Sequence, residues 1–225
     1  MLDKPCNVDP LAESILAELV DRREAGEIVL GGYVALQHYT DYRTTHDLDA
    51  WWRTKSSPAT ERVIRAAMQK IAAGQGYELR ERRFGETSSF ELRRDGKKRF
   101  SFQIAVRAVE LEPPVASAWP PILIETLPDN IGGKMNALVE RGAARDFLDV
   151  KHIVTSGLAT PAQCWALWQR KNPAEEVPAG RSKVLFQLAA LGLRRPLDSI
   201  ADPRDRDVAR ATRQWFRREF LGANA

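Results

Sequence analysis

Cysteine is almost absent from this chain. Its 225 residues include two, Cys6 and Cys164. That is too few for a disulfide framework, and the pair makes no metal-binding spacing, so free thiols are expected. Of the three histidines, His38 and His46 have no partner at zinc spacing and read as packing or surface residues. No apolar run is long enough to span a bilayer, which excludes a helical membrane protein. The start, Met1-Leu-Asp-Lys-Pro-Cys6, lacks the basic residues and apolar stretch of a secretory signal, so a cytoplasmic location is expected. No internal repeat and no low-complexity tract is present.

What the chain does have is ordinary for a globular protein: 44% hydrophobic and 28% charged residues, enough for one large or two small domains with a buried core. Net charge is +4, unevenly spread. Residues 150–225 carry 13 Lys and Arg against 7 Asp and Glu, which leaves the preceding part slightly acidic. A basic second part suits a polyanionic partner, although a solvated helical surface has the same composition.

Local signals divide the chain into a mixed part and a helical part. Asp9-Pro10 opens a helix expected to run to about Arg23. Ile28-Val29-Leu30 is a short apolar strand closed by Gly31-Gly32, followed by a short helix with Val34, Leu36 and His38. Residues 47–52 read as a strand, and Ser57-Pro58 opens a helix ending at Gly74 or Gly76. Residues 77–84 alternate loosely. Phe90 and Leu92, the turn Asp95-Gly96, and Phe100, Phe102, Ile104 and Val106 make a hairpin. Pro113, Pro114, Pro120 and Pro121 mark an irregular connection. After Pro128 the pattern is helical: about 130–141, 143–156, a capping-box start at Thr160-Pro-Ala-Gln163, about 180–192, and 204–220. The expected fold is therefore α+β, with a small mixed sheet in a core domain of residues 1–125 and a C-terminal helical bundle of residues 126–225.

Residues 30–49 carry the chemistry. In a strand, Asp47 and Asp49 share a face while Leu48 turns into the core. Two adjacent carboxylates repel unless a cation lies between them, and Mg²⁺ is commonly held by one or two carboxylates plus substrate phosphates. Glycines at a strand-to-helix junction let backbone N–H groups approach a phosphate. Arg43 and Thr45 precede the acidic pair and could reach the same phosphates. Singly, each feature is also that of a turn or a solvated edge; it is their order that points to chemistry. A second cluster lies in the helical part. Lys134, Leu138 and Arg141 share a helix face, and Arg145, Asp146 and Asp149 follow Gly142. An interhelix salt-bridge network would use the same residues.

Together these segments resemble the AbiEii/AbiGii-type nucleotidyltransferase toxins, a family that includes the MenT toxins. The resemblance rests on Gly31-Gly32-Tyr-Val-Ala-Leu, His38-Tyr39, Arg43-Thr-Thr45-His-Asp47-Leu-Asp49, Lys134-Met-Asn-Ala-Leu-Val-Glu-Arg141 and Arg145-Asp146-Phe-Leu-Asp149, and lies within about residues 27–155. It implies a polymerase-β-like nucleotidyltransferase core. Asp47 and Asp49 would hold Mg²⁺, Gly31 and Gly32 would flank the triphosphate, Lys134 would contact nucleotide phosphates, and Asp146 would be the acidic residue of the later motif. It implies transfer from an NTP, in some members to the tRNA 3′ end, and a cognate antitoxin as partner. The active site would lie in a cleft between the two parts. One departure stands out: the strand after the hairpin offers Ser101, Gln103 and Ala105 where the wider superfamily often has a third carboxylate, with Gln103 the nearest equivalent. The alternatives are an inactive nucleotide- or RNA-binding protein of this fold and a small-molecule nucleotidyltransferase. Arg206, Arg210, Arg213 and Arg217 form one stripe on the last helix, expected to hold RNA if the acceptor is RNA.

Overall fold

The structure is a computed structural model that describes residues 3–107 and 109–222. The chain is a mixed αβ protein of two compact units, residues 1–130 and 131–225.

The first unit begins with α1 (Pro10–Leu19), where Asp9 Oδ1 accepts from the N–H groups of Leu11 at 2.8 Å and Ala12 at 3.3 Å. This helix stops earlier than its periodicity suggests. Asp21 takes a positive φ of 61°, and a 3₁₀ turn (Arg23–Glu27) leads into β1 (Ile28–Leu30). Then come α2 (Gly32–Gln37), β2 (Asp47–Trp52) and α3 (Pro58–Gln75). Ser57 Oγ caps α3 by accepting from Thr60 N at 3.3 Å, and Gly76 closes it in the left-handed region. The strands β3 (Glu78–Phe84), β4 (Thr87–Arg94) and β5 (Lys97–Ala105) form an antiparallel meander. Its Asp95-Gly96 turn has both φ values positive, at 52° and 69°, the twist that a two-residue hairpin loop requires.

The proline-rich stretch expected as an irregular connection contains two short strands, β6 (Val115–Ala116) and β7 (Leu123–Ile124). They are too short to have a period of their own; pairing with the sheet makes them. Strand order is β3-β4-β5-β2-β1-β7-β6. β2 runs parallel to β5 and antiparallel to β1. One sheet face packs on α1 and α3 through Leu48, Ala50, Trp52, Phe90, Phe102, Ile104, Ile15, Leu16, Leu19, Ile64 and Met68, all buried.

α4 (Leu127–Glu140) starts three residues earlier than expected and contains the division between the units. The second unit continues with α5 (Ala144–Thr155), α6 (Pro161–Lys171), α7 (Val177–Arg194) and α8 (Pro203–Trp215), closed by a π turn (Phe216–Phe220). The capping box at α6 is present: Thr160 N donates to Gln163 Oε1 at 2.8 Å, and Gln163 N donates to Thr160 Oγ1 at 3.2 Å. The core of this unit is aromatic, with Phe147 edge-on to Phe216 at 4.8 Å and Trp165 edge-on to Trp168 at 5.6 Å. Cys6 is exposed, Cys164 is buried, and both are free thiols. No helix among the described residues is long and apolar enough to cross a membrane.

Candidate functional site

The alternation expected for residues 47–52 is what β2 has: Asp47, Asp49 and Trp51 are partly exposed while Leu48, Ala50 and Trp52 are buried. Both carboxylates therefore stand on the sheet face away from α1 and α3. Thr45 Oγ1 donates to Asp47 Oδ1, which ties the loop before the strand to the first carboxylate. On the neighbouring strand β5, Ser101 stands opposite Asp47 and Gln103 opposite Asp49. Gln103 is exposed, so the position that could carry a third carboxylate is occupied by a neutral amide on the right face.

Both glycines are explained by close approach. Gly31 N donates to Asp49 O at 2.8 Å, and a Cβ on Gly31 would come within 2.4 Å of Trp51 Nε1. Gly32 has φ +61°, and a Cβ there would meet Asp49 Oδ2 at 2.5 Å. A larger residue at Gly32 would push into Asp49.

Arg43 is anchored from α2. Its backbone N–H donates to Tyr33 Oη at 2.8 Å. Its guanidinium lies 3.6 Å from the Tyr33 ring centroid and Nη1 donates to Thr44 O at 3.1 Å. Gln37 Nε2 also donates to Arg43 O, at 3.2 Å, which steadies the loop. His38 donates through Nδ1 to Val34 O at 3.0 Å and packs edge-on to Trp119. Burial lowers its pKa, although the Val34 carbonyl opposes that shift. His46 Nδ1 lies 2.7 Å from Asp9 Oδ2. Neither histidine is part of a metal cluster: among the described residues no group of three or more His, Cys, Asp or Glu side chains is placed to hold an ion.

Sequence reasoning missed a buried polar brace behind the glycines. Glu125, which is 3% exposed, accepts from Trp51 Nε1 at 2.9 Å and from Asn130 Nδ2 at 2.6 Å. Asn130 Nδ2 also donates to Gly32 O at 2.7 Å. Arg107 lies 3.5 Å from Glu125 Oε2 and 3.2 Å from Asp129 Oδ1. Asp129 further accepts from the N–H groups of Leu111 and Glu112. These residues fix the carbonyl of Gly32 from across the fold, and nothing in their own sequence neighbourhood signals it.

In the second unit, Lys134 and Asp149 form a buried ion pair at 2.7 Å. Arg141 makes a two-pronged contact with Asp146, Nε to Oδ2 at 2.9 Å and Nη2 to Oδ1 at 2.8 Å. Asp146 Oδ2 also accepts from Ala143 N at 2.9 Å. Asp146, expected among the site residues, thus has both carboxylate oxygens engaged at the start of α5. The arginine stripe on α8 is engaged as well. Arg206 donates to Ile200 O at 2.8 Å, Arg210 to Asp207, and Arg213 to Arg195 O at 2.6 Å. A cavity of about 210 Å³ in this unit is walled by Phe147, Leu148, Leu191 and Val208 and also touches Arg195 and Arg213. None of Gly31, Gly32, Arg43, Thr45, Asp47, Asp49, Lys134 and Asp146 lines it.

The model of a protein family described as "Nucleotidyl transferase AbiEii toxin, Type IV TA system" matches residues 14–220. No curated protein matches the chain.

Proposed function

Because the chain belongs to the AbiEii family of nucleotidyltransferase toxins of type IV toxin–antitoxin systems, we propose that it transfers a nucleoside monophosphate from an NTP to a hydroxyl on RNA, with the tRNA 3′ end the leading candidate. Membership itself implies nucleotidyltransferase activity, a nucleotide substrate and a cognate antitoxin. The acceptor, the metal and the residue roles are our reading.

The observation that carries it is the pairing of Asp47 and Asp49 on one open strand face, with Gly32 against Asp49. Two carboxylates, with substrate phosphates to complete the shell, suit Mg²⁺ better than zinc or a softer metal. Bound there, Mg²⁺ would neutralise phosphate charge and polarise the α-phosphate. The acceptor oxygen attacks the α-phosphorus, the bond to the β-phosphate oxygen breaks, pyrophosphate leaves, and the hydroxyl proton passes to a carboxylate or to water. Gly31, Gly32, Arg43 and Thr45 belong to the nucleotide-holding set, and Lys134 is assigned to the nucleotide phosphates. Asp146, placed in the catalytic set by the resemblance, acts in this proposal through the turn it fixes with Arg141. Gln103 opposite Asp49 favours a second reading, a protein of this fold that binds nucleotide or RNA without transfer.

The test titrates labelled NTP into wild type and into the Asp47→Ala, Asp49→Ala double variant, with and without Mg²⁺, and then follows label transfer to tRNA. Metal-dependent binding that needs both aspartates, followed by transfer, is expected. Binding without transfer selects the second reading. Equal, metal-independent binding by both proteins overturns the site.

A further inference from the structure

The face that carries Asp47 and Asp49 does not end at β2. Ser101 and Gln103 of β5 stand beside the aspartates. Glu91 and Ser89 of β4 stand beside those two, and Arg80 and Arg82 of β3 come next. Directly opposed residues share a face. Two rows therefore cross four strands: Asp49, Gln103, Ser89, Arg82, and Asp47, Ser101, Glu91, Arg80. At about 4.8 Å per strand, each row spans about 14 Å. The other face of these strands is the core, with Leu48, Phe90, Phe102 and Ile104 buried.

The arginines around these strands differ in whether they have a partner. On the helix side, arginines are paired: Arg65 with Glu81 at 2.8 Å, and Arg83 with Glu61 at 4.0 Å. On the open side, Arg93 pairs with Glu91 at 2.9 Å, whereas Arg80 and Arg82 are exposed, and among the described residues neither of these two guanidinium groups has an ion pair. Lys98, also exposed, reaches Ser101 Oγ at 3.4 Å. Phe84, two positions along the same face from Arg82, is 65% exposed. Planar guanidinium groups fit phosphate oxygens two at a time. A bare ring beside them takes the flat face of an unstacked base whatever its identity. By contrast, three arginines of the α8 stripe already donate within their own unit.

We propose that the open face of β3, β4 and β5 is the binding surface for single-stranded RNA. Arg80 and Arg82 hold backbone phosphates, Phe84 stacks a base, and the rows lead the strand toward Asp47 and Asp49. The proposal rests on the nucleotidyl-transfer reading above and names where its acceptor is held. A single strand fits better than a duplex, because a stacking ring needs a base free of its partner.

The test is fluorescence anisotropy with a 5′-labelled single-stranded RNA across a salt series, using the full chain, with Mg²⁺-dependent NTP binding measured in parallel. R80Q/R82Q is expected to weaken RNA binding by on the order of tenfold at low salt. It should also make the slope of log K against log salt shallower by about 1.4, for two lost phosphate contacts. R80K/R82K should restore the slope, F84A should weaken binding without changing it, and NTP binding should stay at the wild-type level throughout. R210Q/R217Q on α8 should bind RNA like wild type. All these side chains are exposed, and a thermal melt checks that each variant folds. Unchanged RNA binding by R80Q/R82Q overturns the proposal, as does an equal loss in R210Q/R217Q, or tighter binding of a blunt duplex. If wild type binds NTP but no RNA, the surface and the RNA acceptor are wrong while the nucleotide site stands. If it binds neither, both fail.

Discussion

Gly32 and Asp49 touch so closely that a single added methyl on the glycine would lie 2.5 Å from the Asp49 carboxylate oxygen. The contact joins the turn after β1 to the acidic strand, and it makes glycine obligatory for two separate reasons. Gly32→Ala must hold a positive φ, which costs roughly 1–2 kcal/mol, and must displace Asp49. A melting temperature lowered by about 2–4 °C for each kcal/mol is expected for a chain of this size, together with loss of Mg²⁺-dependent NTP binding. Gly74→Ala, at a helical site with open space around it, should be neutral or slightly stabilising in the same melt. Normal NTP binding by Gly32→Ala would show that the acidic pair tolerates displacement.

Gln103 offers a gain-of-function prediction. It stands opposite Asp49 on the same face and is exposed, so Gln103→Glu adds a carboxylate without burying one. A unit charge about 4 Å from a divalent ion contributes on the order of 2 kcal/mol even in a water-like dielectric. The Mg²⁺ concentration for half-maximal NTP binding should drop by on the order of tenfold or more. No change, or weaker binding, would place the metal away from β5.

The buried pair of Lys134 and Asp149 separates stability from chemistry. Asp149→Ala removes the carboxylate 2.7 Å from a buried ammonium and should cost about 3–5 kcal/mol. Replacing both partners, as in K134M/D149L, should recover most of that loss, because well-packed apolar groups replace such pairs at little net cost. If Lys134 contacts nucleotide phosphates, the double variant melts near wild type yet binds NTP weakly. Wild-type NTP binding in that variant would leave Lys134 with a structural role alone.

His38 predicts a pH effect on stability. Burial lowers its pKa in the folded protein below the usual 6.5, against the opposing pull of the Val34 carbonyl. The unfolded chain then binds the proton more readily. The stability due to the neutral ring is complete above about pH 6.5 and is lost as pH falls through the lower folded value. His38→Phe keeps a ring against Trp119 and should flatten the melting temperature below pH 6.5 relative to wild type. A parallel fall in both proteins would assign the acid sensitivity to other groups.

Much of the first unit was legible in the sequence, for a physical reason: its signals are local. Leu30-Gly31-Gly32 followed by apolar residues at helical spacing, the alternation of residues 47–52, and the caps at Asp9 and Ser57 each act within a few positions. So does the Asp95-Gly96 turn. The shared face of Asp47 and Asp49 follows from the two-residue strand period alone.

Contacts between distant residues were decided only by the tertiary structure. Asn130 reaches Gly32 across 98 positions, and Trp51 reaches Glu125 across 74; no spacing rule connects them. β6 and β7 are two residues each and exist only because neighbours pair with them. The basic strand Glu78-Leu-Arg-Glu-Arg-Arg-Phe84 has charge on both faces, so its sequence does not reveal which arginines are paired and which stand open. Its register with β4 and the Glu61 carboxylate of α3 settle that. The α8 stripe shows the converse: regular spacing put four arginines on one side, but carbonyls and a carboxylate of the same unit engage three of them. Local spacing determines which side chains share a face, while the partners waiting on that face determine what remains available for a ligand.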